Sequence, residues 1–307
     1  MARLLEVLRS GRVLLMDGAM GTELQKVGLR PEENAAAWVF LHPERVRAVH
    51  EAYRAAGAEV FLTNTLMLNT QAWADALFQA RVRPDFMLAW RTALDLIGPE
   101  APFRLAAIGP VSGQGTQREF DNLQDLSVPG RRCDARPAHK NCRHVPEAIL
   151  LETCSSPRVR LAIQRVRRGR TPPVLLSLSF LRNASGELVT FSGHPPEWFA
   201  RRAKQWGVAA LGVNCGKDIG MDEVIEIVRR YRKATRLPVF ARPNAGTPTR
   251  TGRRWVYPLT PKAMADRLPE LLEAGASMVG GCCGTTPEHT AAMRPVVEAW
   301  NGRQRRA

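Results

Sequence analysis

The stretch 209-AALGVNCGKDIGMDEVIEIVRRYRKATRLPVFARPN-244 reads as one complete strand–helix–strand unit. Two short apolar runs, 209–213 and 238–241, flank a segment in which Val224, Ile227, Val228 and Tyr231 recur at three- and four-residue spacing, the signature of one buried helix face. The flanking runs do not alternate with polar residues, so both faces of each strand are covered. Strands covered on both faces and joined by helices belong to a parallel sheet.

The same unit recurs along the chain. Strand candidates are 13-VLLMDGA-19, 59-EVFLTNT-65, 104-RLAAIGP-110, 148-AILLET-153, 173-PVLLSLSF-180, 209-AALGVNC-215, 238-PVFARPN-244 and 277-SMVGGCC-283. Helical spacing is clear at 43-PERVRAVHEAYRAAG-57 and 221-MDEVIEIVRRYRKA-234, and a last helix opens at 286-TPEH-289, with Thr286 placed to cap it and Pro287 in its first turn. Eight such units predict a closed (β/α)8 TIM barrel, and 307 residues suit one barrel as a single domain. The rival is a doubly wound open sheet, but no GxGxxG follows an early strand; 112-SGQGTQ-117 has two of the glycines and then departs.

One stretch breaks the rhythm. From about 118 to 147 the chain offers no amphipathic helix, is punctuated by Pro129, Pro137 and Pro146, and is rich in arginine, which predicts an irregular basic loop in place of a regular third helix. Cys133, His139, Cys142 and His144 lie within it at loosely zinc-like spacing. They match no defined finger pattern and read as part of that loop.

Composition narrows the function classes. The N-terminal MARLLEVLRSGRVLLMDG is amphipathic and interrupted by arginines, and no run elsewhere is long enough to span a bilayer, so a soluble, cytoplasmic protein with no membrane partner is expected. The formal charge of +15 is spread along the chain, clustering only at 165-RVRRGR-170, 229-RRYRK-233 and 303-RQRRA-307. No nucleic-acid-binding motif accompanies those clusters, so they read as a solvated basic surface. Six cysteines in a long intracellular chain point to metal binding or reactivity rather than to disulfides.

In a parallel barrel the chemistry sits at the C-terminal ends of the strands. Those ends carry Asp17-Gly18, Thr63-Asn64-Thr65, Gly109-Pro110, Glu152-Thr153, Asn214-Cys215, Asn244 and Cys282-Cys283. Three cysteines from two strand ends therefore face one mouth. Neighbours on a regular strand point to opposite faces, so Cys282 and Cys283 converge only where the backbone leaves strand geometry, a freedom that Gly280, Gly281 and Gly284 supply. Cys215, Cys282 and Cys283 together suit a tetrahedral Zn²⁺ with one position open. Three thiolates make that ion a poor activator of water but a good host for a fourth sulfur, which loses its proton on binding and stays nucleophilic. Thiol alkylation follows. Cys154, just past a strand end, reads as packing.

At this point the residues resemble the homocysteine S-methyltransferase family. The matching stretches are 16-MDGAMGTEL-24, 63-TNT-65, 108-IGP-110, 150-LLET-153, 211-LGVNC-215, 242-RPNAG-246 and 280-GGCCGTTPEH-289, in the family's order over nearly the whole chain. The resemblance implies a homocysteine-binding barrel over 1–307. Cys215, Cys282 and Cys283 would hold Zn²⁺, homocysteine sulfur would take the open site, and Asp17, Gly18 and Glu152 would hold its amino-acid end. A strand-end carboxylate suits an α-ammonium, and amides of a glycine-rich turn suit an α-carboxylate. Thr63, Asn64, Asn214 and Asn244 are expected to shape the mouth through hydrogen bonds, and no protein general base is assigned. The methyl donor would be S-methylmethionine, S-adenosylmethionine or betaine. The alternative is a homocysteine-activating subunit that needs a separate corrinoid methyl-carrier protein. Two departures stand out: the irregular 118–147 segment where the family has a helix, and 66-LMLNT-70 where it commonly places an aromatic side chain. His50, His194 and His289 read as ordinary helix or loop residues.

Overall fold

The computed structural model describes residues 3–68, 71–83, 85–109, 145–167, 172–251 and 254–304. Each expected strand forms: β1 (Leu14–Leu15), β2 (Val60–Leu62), β3 (Phe103–Ile108), β4 (Ala148–Cys154), β5 (Val174–Arg182), β7 (Val208–Lys217), β8 (Val239–Arg242) and β11 (Ala276–Val279). They pair in parallel in the order β1-β11-β8-β7-β5-β4-β3-β2. A parallel bridge between Met16 and Val60 joins the two ends of that path. Two hydrogen bonds complete it, Glu59 N to Leu15 O (2.8 Å) and Asp17 N to Val60 O (2.9 Å). The result is a (β/α)8 barrel.

Side-chain parity explains both cores. Leu14, Phe103, Leu105, Leu150, Leu175, Phe240 and Met278 fill the barrel interior, where Leu4 and Leu8 of the helix Arg3–Arg9 join them. Their odd-step neighbours, such as Leu15, Ile149, Leu176 and Leu211, face outward and pack with Val224, Ile227, Val228 and Tyr231 of the helix Met221–Ala234. Carried two residues further, the inward positions become polar: Leu150 gives Glu152, Leu175 gives Ser177, Gly212 gives Asn214 and Phe240 gives Arg242. All four polar residues are buried. The barrel thus has an apolar floor and a polar upper layer, stacked by the period of two.

Three short strands add to the expected eight. β6 (Leu188–Thr190) folds back antiparallel on β5, and β9 (Thr249–Thr251) and β10 (Arg254–Val256) form a hairpin. The helix read at 43–57 runs Pro43–Ala55. Thr286 precedes the helix Pro287–Gln304, but its hydroxyl lies 3.0 Å from His289 Nδ1 instead of bonding a first-turn amide. Residues 118–144 of the predicted basic loop, with Cys133, His139, Cys142 and His144, lie outside the described residues. Among the described residues, no helix is long and apolar enough to cross a membrane.

His50 is fully buried on the helix Pro43–Ala55, edge-on to Phe61 of β2 at 6.4 Å between ring centroids. Neither ring nitrogen has a hydrogen-bond partner among the described residues. Burial, with help from Arg54 and Arg47, lowers its pKa from 6.5 to about 3. The folded chain therefore prefers the neutral ring. That contribution is complete above about pH 6.5 and drains away toward pH 3, by about 1.4 kcal/mol per pH unit. His50→Leu is expected to flatten the fall of Tm between pH 6.5 and 4. Parallel Tm–pH curves for the two proteins would contradict this.

Candidate metal centre and amino-acid pocket

Asn214 faces inward on β7, so regular geometry would turn Cys215 outward. Instead Cys215 takes φ +50° and Gly216 follows at +133°, which returns the thiol to the mouth. Cys282 and Cys283 lie just past β11 in a loop whose glycines serve two purposes. Gly284 sits at φ +78°, and a Cβ there would fall 2.0 Å from the Tyr257 ring. Gly280 and Gly281 keep φ negative and are needed for space: an added Cβ would lie 2.6 Å from Met16 Cβ and 2.2 Å from Thr285 Oγ1 respectively. The conformational freedom expected at all three glycines is thus used at Gly284 alone. Hydrogen bonds pin the loop to the chain leaving the neighbouring β8, from Cys282 N to Pro243 O (2.8 Å) and from Ala245 N to Cys283 O (3.0 Å).

Cys215 Sγ lies 3.3 Å from Cys282 Sγ and 3.3 Å from Cys283 Sγ, and the three sulfurs fall within 4.8 Å of one another. Hydrogen bonds from the other two thiols hold the Cys215 thiol well below its ordinary pKa. Cys282, which donates to Cys215 Sγ, is pushed up to about 12, and Cys283 rises as well. Cys215 Sγ meets Asn244 Oδ1 at 3.1 Å. Asn214 accepts from Ser177 Oγ (2.5 Å), which fixes its amide so that Nδ2 faces Thr153 Oγ1 (2.9 Å) and Cys282 Sγ (3.9 Å). A soft donor set of this kind, converging from two strand ends, fits a thiophilic divalent ion.

Beside the sulfurs lies a charged cluster. Arg242 Nη1 donates to Glu152 Oε1 at 2.5 Å, while Nη2 reaches Asp17 Oδ1 at 3.3 Å and Gly18 O at 3.2 Å. Asp17 is anchored a second time, since its Oδ2 accepts from Leu62 N at 2.8 Å. Exposure is 3% for Asp17, 6% for Glu152 and 4% for Arg242. Burial pushes both carboxyls up to about 7 against the pull of the guanidinium, which itself stays charged. The sequence reading assigned Arg242 no role. Its signal was present all the same: a lone charge at an inward position of an otherwise apolar strand, 238-PVFARPN-244.

The remaining residues fall on either side of the mouth. Gly18 is required for space, because a Cβ there would lie 2.6 Å from both Tyr53 OH and Thr285 Oγ1. Thr63 and Thr65 stitch β2 to β3: Thr63 Oγ1 accepts from Ala107 N and Thr65 Oγ1 donates to Ala107 O. Asn64 Nδ2 donates to Ala35 O at 2.8 Å. Asn214 and Asn244 are the mouth residues that touch the cysteines; Thr63 and Asn64 fix the neighbouring backbone. Cys154 is buried away from the trio, its thiol raised to about 12 by burial. His289 is a brace. Its Nε2 donates to Leu259 O (2.9 Å), so Nδ1 accepts from Thr286 N (3.1 Å).

Three converging sulfurs that could hold a metal ion and a buried acid–guanidinium cluster thus share the C-terminal mouth of a (β/α)8 barrel. The chain belongs to the homocysteine S-methyltransferase family, whose sequence profile matches residues 14–297. It is 30% identical to the methionine synthase of Mycobacterium leprae, over 97% of this chain and 25% of that protein. It is 31% identical to the methionine synthase of Mycobacterium tuberculosis, over 93% and 24% respectively. The chain therefore spans about a quarter of the length of these relatives. Among solved structures, the metallated homocysteine methyltransferase MmuM of Escherichia coli superposes with a TM-score of 0.66 at 21% identity, covering 95% of this chain and 98% of that one. The apo form gives 0.63 at 22% identity, over 92% and 95%. At these identities the likeness is one of fold.

Proposed function

We propose that the chain is a single homocysteine-binding barrel, acting in the cytoplasm, that transfers a methyl group from an activated donor to the sulfur of homocysteine. What carries the reading is one juxtaposition in a chain of this family: three sulfurs within 4.8 Å of one another, beside a buried Asp17–Arg242–Glu152 cluster at the same mouth. Cys215, Cys282 and Cys283 would hold Zn²⁺, which would supply the Lewis acidity that keeps a substrate thiol deprotonated at neutral pH. Asp17 and Glu152 receive the α-ammonium, and the turn at Gly18 receives the α-carboxylate. Asn214 and Asn244 steady the sulfurs from the protein side. In the transfer, the donor's bond to its methyl group breaks as a new S–CH₃ bond forms. The thiol proton passes to solvent, the donor leaves with one less positive charge, and no side chain needs to act as general base. Holding the two reactants in line supplies much of the acceleration.

S-Methylmethionine, S-adenosylmethionine and betaine are the donors to test. With purified zinc-loaded protein and homocysteine, methionine is expected from S-methylmethionine without any partner protein. A second reading has its own support, because the methionine synthases this chain resembles are about four times its length. In that reading the barrel only activates homocysteine, and methionine forms only when a corrinoid methyl carrier is added. No methionine with any donor or carrier would sink both.

A further inference from the structure

We propose that Arg242 is the positioning residue that makes this mouth select an amino-acid thiol over a simple thiol, an inference that rests on the proposed homocysteine reading. Arg242 leaves β8 at an inward position, directly above Phe240 in the apolar floor. Its planar fork spans two strands that do not neighbour β8 in the ring: Nη1 meets Glu152 on β4, and Nη2 meets Asp17 at the end of β1. Glu152 has no other side-chain hydrogen bond among the described residues, whereas Asp17 has a second anchor in Leu62 N. The guanidinium therefore decides where the Glu152 carboxylate stands and how far it lies from that of Asp17.

Charge counting gives the consequence. With both carboxyls ionised, the two carboxylates and one guanidinium, each under one tenth exposed, are one positive charge short of neutrality, in keeping with the burial that raises both carboxyls to about 7. An α-ammonium supplies that charge, giving an alternating set of two cations and two anions. Buried charges are tolerated when they are paired and hydrogen-bonded in this way. The Nε–H of Arg242 is also buried with no acceptor among the described residues, so the cluster retains one donor for an acceptor from outside the chain. A thiol without amino or carboxylate groups answers neither demand. It gains only the sulfur contact.

The test uses zinc-loaded protein, with metal content and thermal melting measured first. Calorimetric titration then compares L-homocysteine with propane-1-thiol, which keeps the thiol and carbon chain but lacks both amino-acid groups. Arg242→Met is expected to weaken homocysteine binding by about 100-fold, leaving propane-1-thiol unchanged. Arg242→Lys keeps the charge but not the fork, so a loss of about 10-fold confined to homocysteine is expected; this variant carries the test if the methionine variant does not fold. A wild-type preference for homocysteine that survives in the variants overturns the role of Arg242 while leaving the amino-acid pocket standing. Equal loss of both ligands, or loss of zinc, makes Arg242 merely structural and overturns it too. No preference in the wild type overturns the homocysteine pocket itself, and this inference with it.

Discussion

Cys215→Ser and Cys283→Ser are each expected to lose most bound zinc while the barrel stays folded. A serine oxygen is a harder, more weakly ionised donor than a thiolate, and a site with three protein ligands has no spare sulfur to compensate. Losing one thiolate is expected to weaken zinc binding by about two to three orders of magnitude. Methyl transfer should fall with occupancy. Folding should not, because the barrel core is apolar and separate: the cysteines lie above the polar layer, and their loop is pinned by backbone hydrogen bonds to Pro243 and Ala245 that a serine leaves intact. Metal analysis alongside thermal melting decides the matter. Full zinc content in both variants would contradict the assignment, whatever the activity.

Glu152→Gln should produce the opposite pattern, with metal retained and substrate lost. The substitution keeps the shape of the side chain and removes the charge proposed to face the α-ammonium. It also leaves Arg242 with Asp17 as its one carboxylate partner in a buried cluster. Removing one member of such a set is expected to raise KM for homocysteine by about 100-fold. The three sulfurs depend on Cys–Cys and Asn contacts and not on Glu152, so zinc content should stay at the wild-type level. An unchanged KM would remove Glu152 from the substrate site. The two variants together separate the sulfur end of the mouth from the amino-acid end.

Much of this architecture was legible in the sequence, for a physical reason. A strand covered on both faces must be apolar at consecutive positions, so the barrel strands announce themselves one by one. The points where apolar runs stop and Asp, Asn, Glu or Cys begin mark the mouth. β6, β9 and β10 escaped because they span three residues each, too few to show a period, and the side chains of Thr249–Thr251 are exposed and carry no apolar signal. Arg242 escaped because one arginine among 44 lysines and arginines looks like another surface charge until the parity of β8 turns it inward. The glycines of 280-GGCCG-284 read as a source of backbone freedom, yet two are needed for the close approach of Met16 and Thr285, which local sequence does not reveal.

By itself, then, the chain's apolar rhythm determined the ring of strands and which ends would carry sulfur and carboxylate. That information is local: it fixes the face and the end of each strand. Which charges meet across the ring was decided only in three dimensions. Arg242 joins Asp17 and Glu152 over separations of 225 and 90 residues, and Cys215 reaches the vicinal pair by taking φ +50°. Such partnerships depend on the register and closure of the whole barrel, which set the distance between strand ends.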